Sequence, residues 1–412
     1  MIVKTIHRPE TAFLFYLEDT LDRFQHHVTH GEFPDDDARE EERLELYEML
    51  TEEQRQEVWG LSADLYSLLD KERRPVTEVA DAKEDIAAQL EAAYGSSNWT
   101  ALLRLLRNQA GVIERPVVDY MRFRAWSELG YPSVALAFIR NAVRLDPLDA
   151  EYKHLLLELL KRMKDWDELQ QRADQFLADF PDQAGVLLAV GESYHDLAVY
   201  HQDQLFDLKA VECLRKGLAA GETVALLDSQ LKSSVVTLAF ALLSLDRTDE
   251  AIERLGSWIE RRSDNAELFA ARGIVRLTTE YEAAINDFKS AVQFNTKFVL
   301  PYFELSNWFL HGNQSELAIE TAVNGLKCVR RPSDRAKLLH LMAIGYALQN
   351  RVDPALALMN EASQCDPTDR SLIANFRMLK RANRTLWPSP ASFQLPTREP
   401  WDVRMLLRQL AA

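Results

Sequence analysis

A recurring pattern of small residues constrains the fold of this chain more than any other feature of its sequence. In the stretch YEAAINDFKSAVQFN (281–295), Ala284 and Ala291 flank the large aromatic residue Phe288 at helical spacing. Comparable positions recur along the chain at intervals of 33 to 41 residues. These aligned positions are Ala101, Ala135, Leu169, Ala210, Ala251, Ala284, Ala318 and Ala355. A period of this length is typical of stacked helix pairs.

Prolines mark the ends of several of these units. Pro147, Pro181 and Pro367 each lie twelve residues after an aligned position. Because proline cannot continue a helix, each is predicted to follow a helix end, with acidic or polar residues beginning the next helix. Within a pair, two antiparallel helices approach closely only where side chains are small. Ala284 and Ala291 are therefore predicted to contact the preceding helix, and Phe288 to fill the space between them.

The pattern resembles the tetratricopeptide repeat (TPR), a helix–turn–helix of 34 residues. The small and aromatic residues that the family has at fixed positions are clearest in unit 336–369 and unit 266–298. The first of these units also has the family's proline. The matching residues are Ala343, Tyr346, Ala355 and Pro367 in the first, and Gly273, Ala284, Phe288 and Ala291 in the second. The resemblance implies an all-α, right-handed superhelical solenoid of antiparallel helix pairs, and it covers about eight pairs. No single pair buries its apolar face, so the pairs must stack.

The sequence divides into four predicted segments. Residues 1–77 form an acidic helical N-terminal extension, and residues 78–370 form the TPR-like solenoid. Residues 371–384 form a capping helix with an apolar face, and residues 385–412 form a Pro-rich strap and a short amphipathic helix. About seven extra residues occur near 198–207 and again near 219–230. Units 150–183 and 184–221 depart most from the repeat pattern, so their packing is predicted to be looser or their helices longer.

Charge and composition exclude several classes of function. The net charge is −16, with 19 acidic and 9 basic residues in 1–75 but 3 acidic and 8 basic residues in 368–412. So acidic a chain repels a nucleic-acid backbone, and no apolar run is long enough to cross a membrane. Three cysteines without a CxxC motif favour the reducing cytoplasm. The acidic run GEFPDDDAREEERLELYEML is either a solvated linker and helix start or a docking segment for a basic partner.

The search for chemistry favours a protein that is not an enzyme. The histidines of HHVTH (His26, His27 and His30) have metal-compatible spacing but lack further ligands, and exposed helix-end histidines are the simpler interpretation. Glu192 and His195 lie one turn apart, which favours a polar contact over catalysis. No phosphate-binding, Rossmann, GxSxG or HExxH motif is present. We expect no catalytic residue, no metal and no cofactor.

The resemblance implies that the first helix of each pair lines a concave groove that receives a peptide. Counting from the aligned positions, the predicted groove in the C-terminal pairs is mostly apolar. Its residues are Val236, Phe240, Ile274, Phe303, Asn307, His340 and Ile344. The alternative interpretation is that these side chains face adjoining helices, because a one-residue slip of register is easy near the extra residues.

Three functions fit these patterns. The leading one is a non-enzymatic interaction scaffold or adaptor that binds an apolar or amphipathic segment in the groove. That segment belongs to another protein or to the chain's own tail, whose Trp387, Phe393, Trp401 and Leu406 are suitable anchors. The second is a structural subunit of a homo-oligomer or multisubunit complex, joined through charged ends and the convex face. The third is a regulatory subunit of a separately encoded enzyme.

Overall fold

The computed structural model describes residues 9–31, 37–68, 80–108, 113–221, 228–261, 263–277, 279–381 and Phe393. These residues form twenty α-helices and no strand, so the predicted all-α class is confirmed. The chain divides into two compact units, residues 1–172 and residues 173–412. None of the helices within the described ranges is long and apolar enough to cross a lipid bilayer.

The first unit begins with three helices that precede the repeats and continues with paired helices. Its helices are α1 (Pro9–His30), α2 (Asp37–Glu48), α3 (Glu52–Tyr66), α4 (Ala80–Gly95), α5 (Trp99–Asn108), α6 (Arg115–Glu128), α7 (Pro132–Leu145) and α8 (Ala150–Met163). The next helix, α9 (Trp166–Asp179), contains the boundary between the units. Most of the acidic run assigned to a linker or helix start is helical, because it forms α2.

The second unit continues with five helix pairs and one last helix. They are α10 (Ala184–His201), α11 (Gln204–Gly221), α12 (Asp228–Ser244), α13 (Thr248–Arg261), α14 (Ala266–Arg276), α15 (Tyr281–Gln293), α16 (Val299–His311), α17 (Ser315–Leu326), α18 (Pro332–Leu348), α19 (Val352–Cys365) and α20 (Arg370–Arg381). Every helix from α10 packs against the next, and α10 contacts α12, α12 contacts α14 and α16 contacts α18. Contacts between successive first helices are what stacking of pairs requires, so the solenoid is confirmed.

The aligned positions of the repeat pattern are buried along most of the chain, as close helix contacts require. Seven of the eight aligned positions are fully buried, namely Ala135, Leu169, Ala210, Ala251, Ala284, Ala318 and Ala355. The eighth, Ala101, is half-buried, whereas Leu102 beside it is fully buried. The predicted register is therefore wrong by one residue in α5, where the atypical first pair gives no second mark to fix it.

The contact predicted for the stretch 281–295 is present between α14 and α15. Ala284, Phe288 and Ala291 are fully buried. A Cβ atom added at Gly273 would lie 2.5 Å from Cε1 of Phe288 and 3.2 Å from the carbonyl oxygen of Ala284. Gly273 thus lets the backbone of α14 approach the ring and backbone of α15, and any larger residue there would push the helices apart.

Three helices end just before the prolines that are predicted to follow helix ends. Helices α7, α9 and α19 end two residues before Pro147, Pro181 and Pro367. The next helices begin with side-chain caps at two of these sites. The carboxylate of Asp149 accepts hydrogen bonds from the amides of Glu151 and Tyr152, and Asp369 accepts from the amides of Ser371 and Leu372. Such caps satisfy amide groups that a helix start leaves unpaired.

The extra residues near 198–207 lengthen helices rather than loosen them. Helices α10 and α11 each have 18 residues, against 14 in α13 and α19. Their packing is close, because a Cβ atom at Gly191 would lie 2.6 Å from Cγ of Leu214. The second site of extra residues (219–230) lies partly outside the described residues.

A buried ion network ties α3 to the repeats of the first unit. The Asp64 carboxylate, with no exposed side-chain surface, lies 3.0 Å from Nη2 of Arg107 and 3.0 Å from Nη2 of Arg122. Arg122 also contacts Asp119, which accepts a hydrogen bond from Asn141. Burial raises the pKa of the Asp64 carboxyl, against the opposing effect of the two guanidinium groups. Because burying charges is costly unless they are paired, removing one partner would destabilise the network strongly.

The last described helix, α20, packs on the apolar cluster of the second unit. Leu372 and Leu379 are buried against α18 and α19, and Phe376 packs beside them half-buried. Helix α20 overlaps the segment predicted as a capping helix (371–384), and its capping role stays a prediction. The predicted strap and terminal helix (385–412) lie outside the described residues, except for Phe393.

The Gly273 contact gives a direct test of the repeat packing. We expect Gly273→Ala to lower the free energy of unfolding by about 1–3 kcal/mol, because the new methyl group overlaps the Phe288 ring. The matched control is Gly256→Ala in α13, where the added Cβ meets only an Arg272 nitrogen at 3.8 Å. That variant should be neutral or more stable by up to about 1 kcal/mol, because alanine favours helix. Urea denaturation measures both, and equal effects would contradict the predicted contact.

Candidate peptide-binding groove

The seven predicted groove residues lie on the first helices of four successive pairs. Val236 and Phe240 belong to α12, Ile274 to α14, Phe303 and Asn307 to α16, and His340 and Ile344 to α18. Val236 and Phe303 are half-buried. The other five are buried, with exposures of 7% for Phe240, 1% for Asn307 and His340, and 0% for Ile274 and Ile344.

Because five of the predicted groove residues are buried, the candidate groove has less apolar surface available to a ligand than the sequence predicts. A buried side chain supports the wall, and only a partly exposed one presents apolar surface to a partner. Among the described residues of the second unit, the exposed large apolar side chains lie elsewhere, mostly on second helices and helix ends. They are Tyr200, Leu205, Leu208, Phe294, Leu317 and Val323. Of the predicted set, Val236 and Phe303 therefore present the apolar surface, and the assignment of all seven to a peptide groove stays a prediction.

Two of the buried groove positions are polar. The side-chain amide of Asn375 in α20 lies 2.8 Å from Nε2 of His340. If the amide nitrogen donates to Nε2, the proton of neutral His340 is on Nδ1. Among the described residues, neither Nδ1 of His340 nor Oδ1 of Asn307 has a hydrogen-bond partner. A donor and an acceptor are thus buried on neighbouring first helices, and such groups are costly unless something pairs with them.

The tail residue Phe393 is buried in the same part of the unit. It is 6% exposed and belongs to the apolar cluster formed by α16 to α20. Ile344 is a member of that cluster, and Phe303 packs against it. Sequence reasoning named Phe393 as one of four tail anchors, and the other three lie outside the described residues.

Glu192 and His195 do not form one site. His195 Nδ1 lies 2.9 Å from Oδ1 of Asp207, and the hydroxyl of Ser244 donates to Oδ2 of the same carboxylate at 2.5 Å. Glu192 accepts a hydrogen bond from Ser234 at 2.8 Å. All five side chains are buried. The carboxylate lies between the histidine and the serine, so the histidine cannot activate that hydroxyl, and these contacts instead join α10, α11 and α12.

The cysteines and the ligand-type side chains show no reactive arrangement. Burial raises the pKa of the Cys213 thiol to about 11, so the thiol stays protonated near neutral pH. Cys328 and Cys365 are half-buried beside the apolar clusters of the last pairs. Within the described ranges, no group of three or more His, Cys, Asp or Glu side chains is placed to hold a metal ion.

Comparisons with known proteins add a limited likeness of fold. No protein-family model matches the sequence, and no curated protein matches it. A TPR protein from Parabacteroides merdae is 11% identical, over 65% of this chain and 99% of that chain, with a TM-score of 0.41. Pseudomonas aeruginosa PilF is 14% identical, over 56% and 96%, with a TM-score of 0.43. The apo quorum sensor NprR from B. thuringiensis is 13% identical, over 76% and 85%, with a TM-score of 0.40.

These TM-scores are all below 0.5, so the repeat class rests on the helix contacts of the chain itself. The stacked pairs, the buried small residues at TPR spacing and the contact of Gly273 with Phe288 define it. In fold, this chain is a TPR-like helical repeat protein.

The buried histidine gives a prediction for pH dependence. Burial lowers the pKa of His340 to about 4, from an ordinary value of 6.5. The unfolded chain therefore takes up this proton first as the pH falls, and stability is lost between about pH 6.5 and pH 4. The full loss is about 3 kcal/mol at about 1.4 kcal/mol per pKa unit.

Urea denaturation between pH 7 and pH 4 measures this loss. His340→Gln should flatten the pH dependence relative to the wild type, whatever it does to stability at pH 7. The control is the same change at the exposed His30, which should leave the pH dependence as it is. An unchanged pH dependence in His340→Gln would contradict a neutral, buried His340.

Proposed function

We propose that this protein is a non-enzymatic interaction scaffold that binds an apolar or amphipathic protein segment on the first helices of its C-terminal pairs. The observation that carries the proposal is the burial of Phe393 in the cluster of α16 to α20. This residue, from beyond the last described helix, belongs to the same buried cluster as side chains of the repeats. A surface that accepts one aromatic side chain from an extended segment has the property that a peptide-binding scaffold needs.

The partly exposed apolar residues on the first helices support the same proposal. Phe303 and Val236 are half-buried, so they can contact apolar side chains of a bound segment. Specificity would then depend on the anchors of the segment more than on its charge.

We further propose that the chain's own tail is one occupant of this surface. In this arrangement residues 385–412 compete with an outside partner, so affinity for that partner rises when the tail is removed. Deleting 385–412 should then leave the melting temperature nearly unchanged. A deletion that abolishes folding would show that the tail is part of the core and is not a regulatory segment.

The second candidate is a structural subunit joined through its ends. It is favoured by the net charge of −10 in residues 1–75 and of +5 in residues 368–412. Assembly by these charges would weaken as ionic strength rises, whereas apolar binding would not. Regulation of a separately encoded enzyme would use the same binding surface as the scaffold.

A synthetic peptide of residues 387–400 (WPSPASFQLPTREP) tests the scaffold proposal. We expect the full-length Phe393→Ala variant to bind this peptide at least tenfold more tightly than the wild type, because its own tail no longer fills the site. The same peptide with alanine in place of Phe393 should not bind. Isothermal titration calorimetry measures the affinities.

A pair of second-site variants locates the binding surface. In the Phe393→Ala background, Phe303→Gln should weaken peptide binding, and Leu317→Gln should not, because Leu317 is exposed on α17 away from the proposed site. Circular-dichroism melts must first show that both variants stay folded. Equal effects of the two changes would exclude this surface.

A further inference from the structure

The first unit contains a pocket that the repeats do not form. It lies among α1, α2 and α3 and encloses about 730 Å³. Well-packed helices leave few voids larger than a water molecule, whereas ligand pockets range from about 300 to 1,000 Å³. The volume is therefore that of a binding site for a small organic group. We call it the N-terminal pocket.

In the described part of the chain, four aromatic side chains line the N-terminal pocket. Tyr16 comes from α1, Tyr47 from α2, and Trp59 and Tyr66 from α3. Trp59 is 69% exposed, so the pocket opens to solvent beside the indole ring. Flat apolar walls with polar edges bind planar groups by stacked or edge-on contacts.

Among the described residues, the charged side chains that line the pocket are those of Arg23 and Arg43. Nε of Arg43 lies 2.8 Å from Oδ2 of Asp19, and its guanidinium carbon lies 5.3 Å from the centre of the Tyr16 ring. Arg23 has no hydrogen-bond or ion-pair partner among the described residues. Both guanidinium groups lower the pKa of Tyr66, against the larger effect of burial, which raises it. Asp19 offsets the charge of Arg43, so among the described lining residues Arg23 carries the unpaired positive charge.

Local contacts hold the pocket walls in place. The hydroxyl of Tyr16 donates to the carbonyl oxygen of Arg43, which joins α1 to α2. Arg55 of α3 donates to the carbonyl oxygens of Tyr47 and Glu48, and its guanidinium group lies over the Tyr47 ring. A capping box between Thr51 and Gln54 fixes the start of α3. The walls are therefore positioned before any ligand arrives.

These features select one class of ligand. A cation is repelled by the unpaired Arg23 guanidinium group, and a neutral apolar group leaves that guanidinium group without a counter-charge. A polyanion is repelled by the net charge of −10 in residues 1–75. A single carboxylate pairs well with a guanidinium, because the planar fork matches its two oxygens. We propose that the N-terminal pocket binds an aromatic carboxylate, with the ring between the aromatic walls and the carboxylate on Arg23 and Arg43.

Two sources can supply this chemistry, and matched probes distinguish them. Naphthalene-2-acetate represents a free aromatic acid, and naphthalene-2-acetamide is its neutral control. N-acetyl-Ala-Ala-Phe with a free carboxylate represents the C-terminal residue of a peptide, and its C-terminal amide is the neutral control. Titration calorimetry with the full-length protein gives each affinity. Tighter binding of the naphthyl acid would indicate that the natural ligand is a free aromatic acid. Tighter binding of the tripeptide would indicate that it is the C-terminal residue of a peptide.

We expect at least one acid to bind with one-to-one stoichiometry and its amide to bind at least tenfold more weakly. Arg23→Gln should reduce the affinity for the acid to that for the amide, and Trp59→Ala should weaken both. The control Arg330→Gln, at an exposed arginine of the second unit, should change neither.

Three results would overturn the proposal. They are equal affinities for acid and amide, an unchanged affinity for the acid in Arg23→Gln, and no binding of any of the four probes at millimolar concentration. Because Arg23 has no partner among the described residues, its replacement should not unfold the unit. A circular-dichroism melt checks this before the titrations.

Discussion

The close approach of paired helices at small residues is the constraint on which the rest of the structure depends. Gly273 lies so near Phe288 that even a methyl group would overlap the ring, and Ala284 and Ala291 are fully buried beside it. Such contacts fix the distance and the register within a pair. Each pair buries its remaining apolar face only on the next pair, so the packing within one pair fixes the position of the next. The positions of the side chains that line the candidate groove follow from this stacking.

Buried polar contacts inside each unit fix the positions of helices that apolar packing alone would allow to shift. In the second unit the Asp207 carboxylate joins α10, α11 and α12 through His195 and Ser244. In the first unit Asp64 joins α3 to α5 and α6 through two arginines. Apolar packing tolerates small shifts of one helix on another, whereas a buried carboxylate must keep its partners. Among the described residues, the buried Asp64, Asp207 and His195 thus serve helix packing.

Much of the fold could be predicted from the residues, because its rules are local. Small residues at TPR spacing predicted the contacts of α14 with α15, and prolines predicted the ends of α7, α9 and α19. The register in α5 was wrong by one residue, because the first pair has no proline mark to fix it. The N-terminal helices have no period, so neither the N-terminal pocket nor the Asp64 network could be found by counting.

Which residues of the candidate groove are exposed was harder to predict from the sequence than the fold, for a physical reason. A first helix in a solenoid contacts its partner and the first helices on both sides, so one residue of register decides whether a side chain faces a wall or the solvent. Ile274 and Ile344 face inward, whereas Phe303 and Val236 stay partly exposed. The pairing of His340 with Asn375 also depends on α20, which lies outside the repeat pattern.

We propose that Phe393 occupies a binding surface of the last pairs and is not part of their core. Amide hydrogen exchange, followed by mass spectrometry on the wild type and on Phe393→Ala, distinguishes these two roles. We expect faster exchange in the variant only within α16 to α20, with α10 to α15 unchanged and the melting temperature nearly the same. Faster exchange throughout residues 184–381, with a clear drop in melting temperature, would contradict it.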